Sequence, residues 1–389
     1  MKLDLDRLDV ARLRARRGEK WKQYPPDVLP AWVAEMDYPL AEPVRAVVEE
    51  ALALDDLGYP LESPEPLQVA FAERMAAKFG WRIEPRRVEL LSEVVQGIYV
   101  AIDRYVAADG GVLVQTPVYP PFLRAVRELG RRMVENPLAI GASRWEIDFD
   151  GLRAVAADAR IFLLCNPQNP TGRVFARSEL AALAELAAAH DWIVIADEIH
   201  ADLVYPGAEP HVPFASLAPE VEARTVTLSS ASKAFNIPGL RCAVAHFGSD
   251  ALRERFLSLP RAVRGGSGSL GQAATLAAWR AGDAWLAEVL AYLDGNRRAV
   301  AAFVAERWPA VRTWLPEATF LAWFDFRALA LPRTPQAFFL EHARVALSEG
   351  LAFGEPGRGF ARLNFATSRP ILDEILARLD RALRERTGR

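Results

Sequence analysis

Four short apolar runs along the chain end at clusters of polar residues and predict β-strands. Each run is rich in Val, Ile and Leu and only about five residues long, which is typical of strands that are buried on both faces. The runs span residues 111–115, 161–165, 192–196 and 224–228. Residues 178–190, between the second and third runs, are rich in Ala, Leu and Glu and predict a helix with Ser178 as its N-cap. This alternation of strand and helix favours an α/β fold with a mainly parallel sheet.

The residues that follow these strands are the candidate functional residues. Ligands of parallel α/β sheets bind outside the carboxyl ends of the strands, and each run here leads directly into an unusual polar sequence. The first leads into Thr116-Pro-Val-Tyr-Pro120 and the second into Asn166-Pro-Gln-Asn-Pro-Thr-Gly172. The third ends on Asp197, and the fourth leads through Ser230 to Lys233. We therefore expect one site that is assembled from four strands.

Lys233 is conspicuous because the chain contains few lysines. Of the 47 Lys and Arg residues only five are Lys, and Lys233 is the only one beyond Lys78. A guanidinium can replace an ammonium as a surface charge, but it cannot lose its proton and attack a carbonyl. A lone lysine is usually a surface residue, yet its position just after a buried strand predicts a nucleophilic amine.

A nucleophilic amine, a carboxylate, a stacking aromatic ring and a phosphate site are what pyridoxal 5'-phosphate (PLP) requires. Asp197 closes an apolar strand and could keep the pyridine nitrogen protonated; a turn or N-cap role is the alternative. Tyr119 could lie over the ring or simply pack in the core. Asn169 could donate to the phenolic oxygen or serve as a structural turn residue. The combination predicts a PLP site.

A helix predicted over residues 95–106 supplies the candidate phosphate site. The backbone N–H groups of Val94 and Val95 lie at its start, where free donors face an anion. Ser230 and Arg241, three residues before and eight residues after Lys233, add a hydroxyl and a guanidinium. These four residues together predict an anion-binding end of the site.

The motifs resemble those of the fold-type I superfamily of PLP-dependent aminotransferases, class I and II. The Asn-Pro-x-Asn-Pro-Thr-Gly turn, the Asp-Glu strand end and Ser-x-x-Lys with Arg eight residues later all match, and the resemblance extends from Trp32 to Arg362. One branch, the cystathionine β-lyase-like C–S lyases, is similar over residues 29–38, 197–200, 233–241 and 361–367. The resemblance implies a large domain, a mainly parallel sheet flanked by helices, and a smaller α+β domain.

We place the large domain at residues 46–285 and the small domain at residues 1–45 and 286–389. A long helix predicted over residues 285–308 would connect the two.

The resemblance also implies roles for individual residues. Lys233 would carry the cofactor covalently, Asp197 would pair with its pyridine nitrogen, Tyr119 would stack on its ring and Asn169 would bond its phenolic oxygen. The phosphate would be held by Val94, Val95, Ser230 and Arg241. Arg362 would bind the substrate carboxylate, with Ala34 and Asn169 beside the substrate. Tyr59 would reach the phosphate of a neighbouring subunit in a homodimer, although an ordinary turn tyrosine is the alternative reading.

Four positions depart from the usual pattern of the branch. His200 stands where many relatives have a tyrosine that bonds the cofactor, and Glu35 where the branch has Asp. Glu93 replaces a Gly, and a carboxylate so near a phosphate is unfavourable unless it points away. Residues 264–271 are richer in Gly than expected. These differences bear on the substrate more than on the cofactor.

Composition and charge exclude several other classes of protein. The formal net charge is −3 with no basic stripe, so we expect no nucleic-acid partner, and no run approaches the roughly 20 apolar residues of a membrane span. The five His residues show no metal-ligand spacing, and Cys165 and Cys242 lie in apolar segments typical of buried free thiols. The charged N-terminal residues contain no apolar signal region. We expect a cytoplasmic, metal-free protein.

The predicted reaction is α,β-elimination from cystathionine or a cysteine S-conjugate, which gives a thiol, pyruvate and ammonia. An aminotransferase is the alternative, because it would use the same Lys233, Asp197 and Arg362. A regulatory protein that keeps the fold without catalysis is a third hypothesis, and a functional Lys233 argues against it.

Overall fold

A computed structural model describes residues 3–60 and 65–387 of the chain. Its α-helices are α1 (Val10–Ala15), α2 (Glu19–Lys22), α3 (Glu42–Ala53), α4 (Glu65–Phe79), α5 (Val94–Tyr105), α6 (Pro120–Glu128), α7 (Phe149–Val155), α8 (Arg177–Ala189), α9 (Pro219–Glu222), α10 (Asp250–Leu257), α11 (Arg261–Arg264), α12 (Ser269–Ala281), α13 (Asp283–Arg307), α14 (Pro335–His342) and α15 (Arg369–Thr387).

The strands of the described residues are β1 (Leu29–Pro30), β2 (Val88–Leu91), β3 (Gly111–Val114), β4 (Arg132–Glu135), β5 (Ala139–Ile140), β6 (Trp145–Glu146), β7 (Ile161–Cys165), β8 (Ile193–Asp197), β9 (Thr225–Ser229), β10 (Ala243–Phe247), β11 (Arg312–Thr313), β12 (Leu321–Asp325), β13 (Val345–Ala346), β14 (Ser348–Glu349) and β15 (Phe360–Asn364). Short 3₁₀ helices lie at Pro85–Arg87, Ala156–Asp158, Ala201–Leu203, Phe214–Leu217, Pro238–Leu240, Arg327–Leu329, Gly350–Phe353 and Glu355–Gly357.

The central element is a seven-stranded sheet in the order β2-β10-β9-β8-β7-β3-β4. The pairs β9-β8, β8-β7, β7-β3 and β3-β4 are parallel, whereas β10 runs antiparallel to both of its neighbours. In the register of the sheet, Asp197 lies opposite Cys165 on one side and Leu228 on the other. The carboxyl ends of three neighbouring strands are therefore level, and the predicted α/β fold with a mainly parallel sheet is confirmed.

Both faces of this sheet are covered, which explains why its inner strands β3 and β7 are continuous apolar runs. Leu163 of β7 joins the core on the face of α5 and α6, whereas Phe162 and Leu164 join the core on the face of α7 and α8. Every residue of β7 is buried. Side chains of a strand alternate between the two faces, so a strand that is covered on both sides shows no alternation of buried and exposed positions.

A second, antiparallel sheet has the order β11-β12-β15-β14 and contacts α14. Arg362, in the middle of β15, lies opposite Trp323 on one side and Ser348 on the other. Helix α13 occupies almost the whole of the predicted connecting helix. A small α+β domain built around this second sheet agrees with these elements, and the bounds 46–285, 1–45 and 286–389 stay predictions.

Helix boundaries differ slightly from those predicted. Helix α5 begins at Val94, one residue early, and α8 begins at Arg177. The prediction of Ser178 as N-cap was wrong: Ala176 holds that position, and its N–H donates to the Glu179 carboxylate at 2.8 Å. A glutamate in the first turn that reaches back thus replaces the expected capping hydroxyl. None of the helices in the described residues has the length and apolar character needed to span a membrane.

Candidate active site

A cleft of about 100 Å³ opens at the carboxyl edge of the seven-stranded sheet. Its walls include strand ends and the start of α5, because the parallel strands bring their polar termini to one edge. Ten of the predicted site residues line the cleft: Ala34, Val94, Val95, Tyr119, Asn169, Asp197, His200, Ser230, Lys233 and Arg241. Arg362 and Tyr59 do not line it.

Lys233 lies in the turn that follows β9, and its amine points at the backbone of a distant segment. The Nζ atom donates to the carbonyl oxygen of Ala34 at 2.9 Å. Burial, together with the positive charge of Arg362, lowers the pKa of Lys233 to about 8. An amine with a pKa this low is partly neutral near physiological pH, and the neutral form is the nucleophile.

Asp197 is a buried carboxylate at the end of β8. It is 5% exposed, and its Oδ1 accepts from the backbone N–H of Ile199 at 3.1 Å. Burial raises the pKa of Asp197 to about 7, in spite of that hydrogen bond. Within the described part of the chain, no basic side chain forms an ion pair with it. A bound group with a positively charged N–H would supply the missing partner.

His200 follows Asp197 by three residues and is neutral in this environment. It is 3% exposed, and its Nδ1 has no hydrogen-bond partner among the described residues. Burial is the main reason that the pKa of His200 falls to about 3, and the charges of Lys233 and Arg362 act in the same direction. The imidazole can therefore offer a donor or an acceptor to a ligand without bringing a charge.

Arg362 joins the site through Asn169. Its Nη1 donates to Asn169 Oδ1 at 2.8 Å, and its Nη2 donates to the carbonyl of Trp32 at 3.0 Å and to Ser348 Oγ at 3.1 Å. The guanidinium lies 4.9 Å from the centre of the Phe353 ring. Burial lowers the pKa of Arg362 to about 10, so it stays charged at neutral pH. In residues 3–60 and 65–387 its partners are neutral oxygens, which leaves a buried positive charge available to a carboxylate ligand.

The other end of the cleft is formed by the start of α5 and the turn after β9. Ser230 Oγ donates to the carbonyl of Cys242 at 2.6 Å and accepts from the N–H of Ser232 at 3.0 Å. Arg241 Nη1 donates to the Glu93 carboxylate at 2.7 Å. The Glu93 side chain, whose charge is unfavourable beside a phosphate, therefore points at Arg241, a residue that we predict to bind that phosphate.

Tyr59 lies outside the cleft of its own chain. Its side chain is fully exposed, and the large apolar side chains of Leu54, Leu57 and Val263 are more than 60% exposed. Its proposed contact with a neighbouring subunit is thus compatible with the geometry of one chain and remains a prediction. Cys165 and Cys242 are buried free thiols, as expected.

A comparison with protein families matches residues 33–379 to the family described as "Aminotransferase class I and II". The chain belongs to this family. Such a match covers nearly all the elements described above, from the segment before α3 to the last helix.

Individual family members show which branch is similar. Cystathionine beta-lyase PatB of Bacillus subtilis is 34% identical over 92% of this chain and 93% of its own length. Cystathionine beta-lyase of Corynebacterium glutamicum is 33% identical, with 95% and 98% covered. The crystal structure of the PLP-bound C-S lyase from Staphylococcus hominis is 29% identical, covers 98% and 99% of the two chains, and has a TM-score of 0.92. The resemblance to the C–S lyase branch is confirmed.

The sequence motifs did not reveal one part of the site. This part is the set of side chains that donate hydrogen bonds to the backbone of residues 32–37. This segment has no regular structure, and side chains from distant elements bind its carbonyl oxygens. Asn364 Nδ2 donates to the carbonyls of Val33 and Glu35, both at 2.7 Å. Asn236 Nδ2 donates to the carbonyl of Met36 at 2.9 Å. The available signal was the match to the branch of residues 29–38, and of residues 233–241 and 361–367, which contain the two donors.

A fully buried ion pair also fixes this segment. Lys20 Nζ lies 2.9 Å from Asp37 Oδ2, and both side chains are 1% exposed. The same Nζ donates to the carbonyl of Glu35 at 2.9 Å, and Trp21 Nε1 donates to Asp37 Oδ1 at 2.7 Å. The rarity of lysine in the chain was the signal that could have identified Lys20.

We predict that Lys20→Met lowers the free energy of unfolding by about 3–5 kcal/mol, because it leaves Asp37 as an unpaired buried charge. Lys22→Met, at an exposed position of the same helix, is the matched control and should change it by less than about 0.5 kcal/mol. Adding Asp37→Asn to Lys20→Met should recover part of the loss. Chemical denaturation followed by tryptophan fluorescence measures the wild type, these variants and the single variant Asp37→Asn. Additive losses in the double variant would show that the two groups do not interact.

Proposed function

We propose that the chain is a PLP-dependent C–S lyase that cleaves a cysteine thioether, such as cystathionine or a cysteine S-conjugate. The products would be a thiol, pyruvate and ammonia. The observation that carries the proposal is that one cleft contains both a lysine with a lowered pKa and a buried carboxylate that forms no ion pair within the described residues. The names of its relatives supply the type of reaction.

The cleft residues fit each polar part of PLP. Asp197 would hold the pyridine nitrogen in its protonated form, and Tyr119 would lie against the ring. Because Asn169 Oδ1 is engaged by Arg362, the amide nitrogen of Asn169 is the group left to donate to the phenolic oxygen, with neutral His200 nearby. The free N–H groups at the start of α5, with Ser230 and Arg241, would bind the phosphate. When bound, PLP supplies an electron-accepting ring that stabilises negative charge at the substrate α-carbon.

Lys233 would act twice in this reaction. Its neutral amine would hold the cofactor covalently, and its lowered pKa makes that form accessible near neutral pH. When Nζ is free of the cofactor, it would take the proton from the substrate α-carbon. The hydrogen bond to the Ala34 carbonyl orients the amine within the cleft.

Arg362 would bind the α-carboxylate of the substrate. Its planar guanidinium can donate two parallel hydrogen bonds to a carboxylate, and its buried position makes such a pair strong. The carbonyl of Trp32, the hydroxyl of Ser348 and the amide of Asn169 already fix its orientation. Little side-chain entropy is then lost when the substrate binds.

The products distinguish the proposed lyase from an aminotransferase. The protein should release pyruvate and thiol from cystathionine or a cysteine S-conjugate without any keto acid, because a thiolate leaves readily from the β-carbon. Serine, whose β-substituent is a poor leaving group, should react slowly. A coupled pyruvate assay and a thiol reagent measure both products across a panel of amino acids. Absence of pyruvate from every thioether, with rapid amino transfer to a keto acid, would establish the aminotransferase instead.

Lys233→Arg should abolish both turnover and the absorbance of the covalently bound cofactor, since arginine keeps the charge but cannot form the link. Lys22→Arg makes the same change at an exposed lysine and should leave both readouts intact. Absorbance spectroscopy of the purified proteins, which for the wild type should be yellow, is the measurement. Retention of the bound-cofactor band in Lys233→Arg would place the reactive amine elsewhere.

A homodimer would place Tyr59 in the neighbouring active site. The exposed side chains of Leu54, Leu57 and Val263 form apolar surface that a second copy of the chain would cover, and Tyr59 belongs to the same region of sequence as the first two. In this arrangement the Tyr59 hydroxyl would donate to the phosphate that the partner binds.

Mixing inactive Tyr59→Ala and Lys233→Ala subunits tests this arrangement. Each heterodimer should contain one site without either substitution, so activity should return toward about a quarter of the wild-type value for an equal, fully exchanged mixture. Differently tagged subunits, co-purified after mixing, verify the exchange. If exchange is complete and no activity returns, Tyr59 does not act across the interface.

A further inference from the structure

The ion pair between Glu93 and Arg241 lies at the anion-binding end of the cleft. Both residues line the cleft, and Arg241 Nη1 donates to Glu93 Oε2 at 2.7 Å. Glu93 is the N-cap residue of α5, yet its side chain accepts no capping hydrogen bond from that helix. The Glu93 carboxylate therefore accepts a hydrogen bond from the Arg241 guanidinium and does not cap the helix.

This carboxylate has the same partners that a bound phosphate would have. Glu93 directly precedes Val94 and Val95, so its carboxylate lies near the positive end of the α5 dipole as well as near Arg241. A phosphate group placed there would use the same helix terminus and the same guanidinium. Two anions that share these donors repel one another, and one must give up part of its contact.

The pair is open to water, which allows it to exchange. The Arg241 side chain is 62% exposed and the Glu93 side chain 45% exposed, and exposed ion pairs stabilise a protein only slightly. A phosphate can thus displace the Glu93 carboxylate, although the displaced charge remains at the mouth of the phosphate site. The expected consequence is weaker retention of the cofactor, without a block to its binding.

We propose that Glu93 competes with the phosphate of PLP for Arg241 and thereby lowers the affinity of the enzyme for its cofactor and speeds cofactor release. The proposal rests on the proposed function, since it concerns the cofactor named there. It assigns to Glu93 a role in setting cofactor affinity, separate from catalysis at Lys233.

The test compares PLP with pyridoxal, which lacks the phosphate. Full-length wild type and Glu93→Gln are freed of cofactor and titrated with each aldehyde, and covalent binding is followed by absorbance. Glu93→Gln should bind PLP about tenfold more tightly and release it more slowly, because one repulsive charge is gone. Its affinity for pyridoxal should equal that of the wild type.

Glu89→Gln is the matched control. Glu89 lies on β2 in the same region of the chain, and its carboxylate pairs with Arg253 and not with a cleft residue. The control removes one negative charge of the same kind, and its affinity for both aldehydes should equal that of the wild type. A gain in PLP affinity in this control as large as in Glu93→Gln would attribute the effect to net charge and overturn the proposal.

Two further outcomes would overturn it. An equal gain for PLP and pyridoxal would show that Glu93 acts on Lys233, whose pKa its charge raises, and not on the phosphate site. Unchanged or weaker PLP binding would show that the carboxylate does not compete. Failure of every variant and of the wild type to bind either aldehyde would instead refute the proposed function, and this inference with it.

Discussion

The structure depends on how the backbone of residues 32–37 satisfies its hydrogen bonds. This segment passes beside the cleft without forming helix or strand, and a buried carbonyl without a donor is costly. Each of its carbonyls accepts from a side chain of a distant element. The donors, in the order of the carbonyls from Trp32 to Asp37, are Arg362 with Ser348, Asn364, Lys233, Lys20 with Asn364, Asn236, and Arg16. Lys233 and Arg362, two of the cationic side chains with proposed chemical roles, thus also hold this segment in place.

Because Lys233 and Arg362 have both a structural and a proposed chemical role, the stability of residues 32–37 is linked to the electrostatics of the site. Burial raises the pKa of Asp197 to about 7 and lowers the pKa of Lys233 to about 8, so both groups move toward their neutral forms. The charged forms of such groups are stabilised most when a ligand supplies a group of opposite charge, because the buried charge is then compensated. The cleft is therefore better suited to a bound ring with a positive N–H and a reactive carbonyl than to remaining without a ligand.

The two ends of the cleft differ in their access to water. Asp197 and His200 are each 5% exposed or less, whereas the side chains of Arg241 and Glu93 are about half exposed. Charges in the buried end interact strongly and are hard to rearrange, whereas charges in the open end are screened and can exchange partners. Chemistry and retention of a cofactor can consequently be adjusted by different residues.

The apolar runs of the sequence were sufficient to predict the parallel sheet and the residues at its carboxyl edge. Strands that are buried on both faces are short runs rich in apolar and β-branched residues, so β3, β7, β8 and β9 could be recognised locally. Parallel pairing then brings Tyr119, Asn169, Asp197 and Lys233 together. The role of Arg362 in binding a substrate carboxylate came from the family resemblance and stays a prediction. Helix starts were less certain, because the first residue depends on which side chain satisfies the free N–H groups, as at Glu179.

The hydrogen-bond and ion-pair partners of these residues became known only from the tertiary structure. The bond from Lys233 to Ala34 joins positions 199 residues apart, and the bond from Arg362 to Trp32 joins positions 330 apart. The buried pair of Lys20 with Asp37 and the exposed pair of Glu93 with Arg241 likewise follow from packing. Hydrophobic periodicity reports which positions are buried, but it carries no information on which distant donor meets a given acceptor. That choice is made when the elements pack against one another.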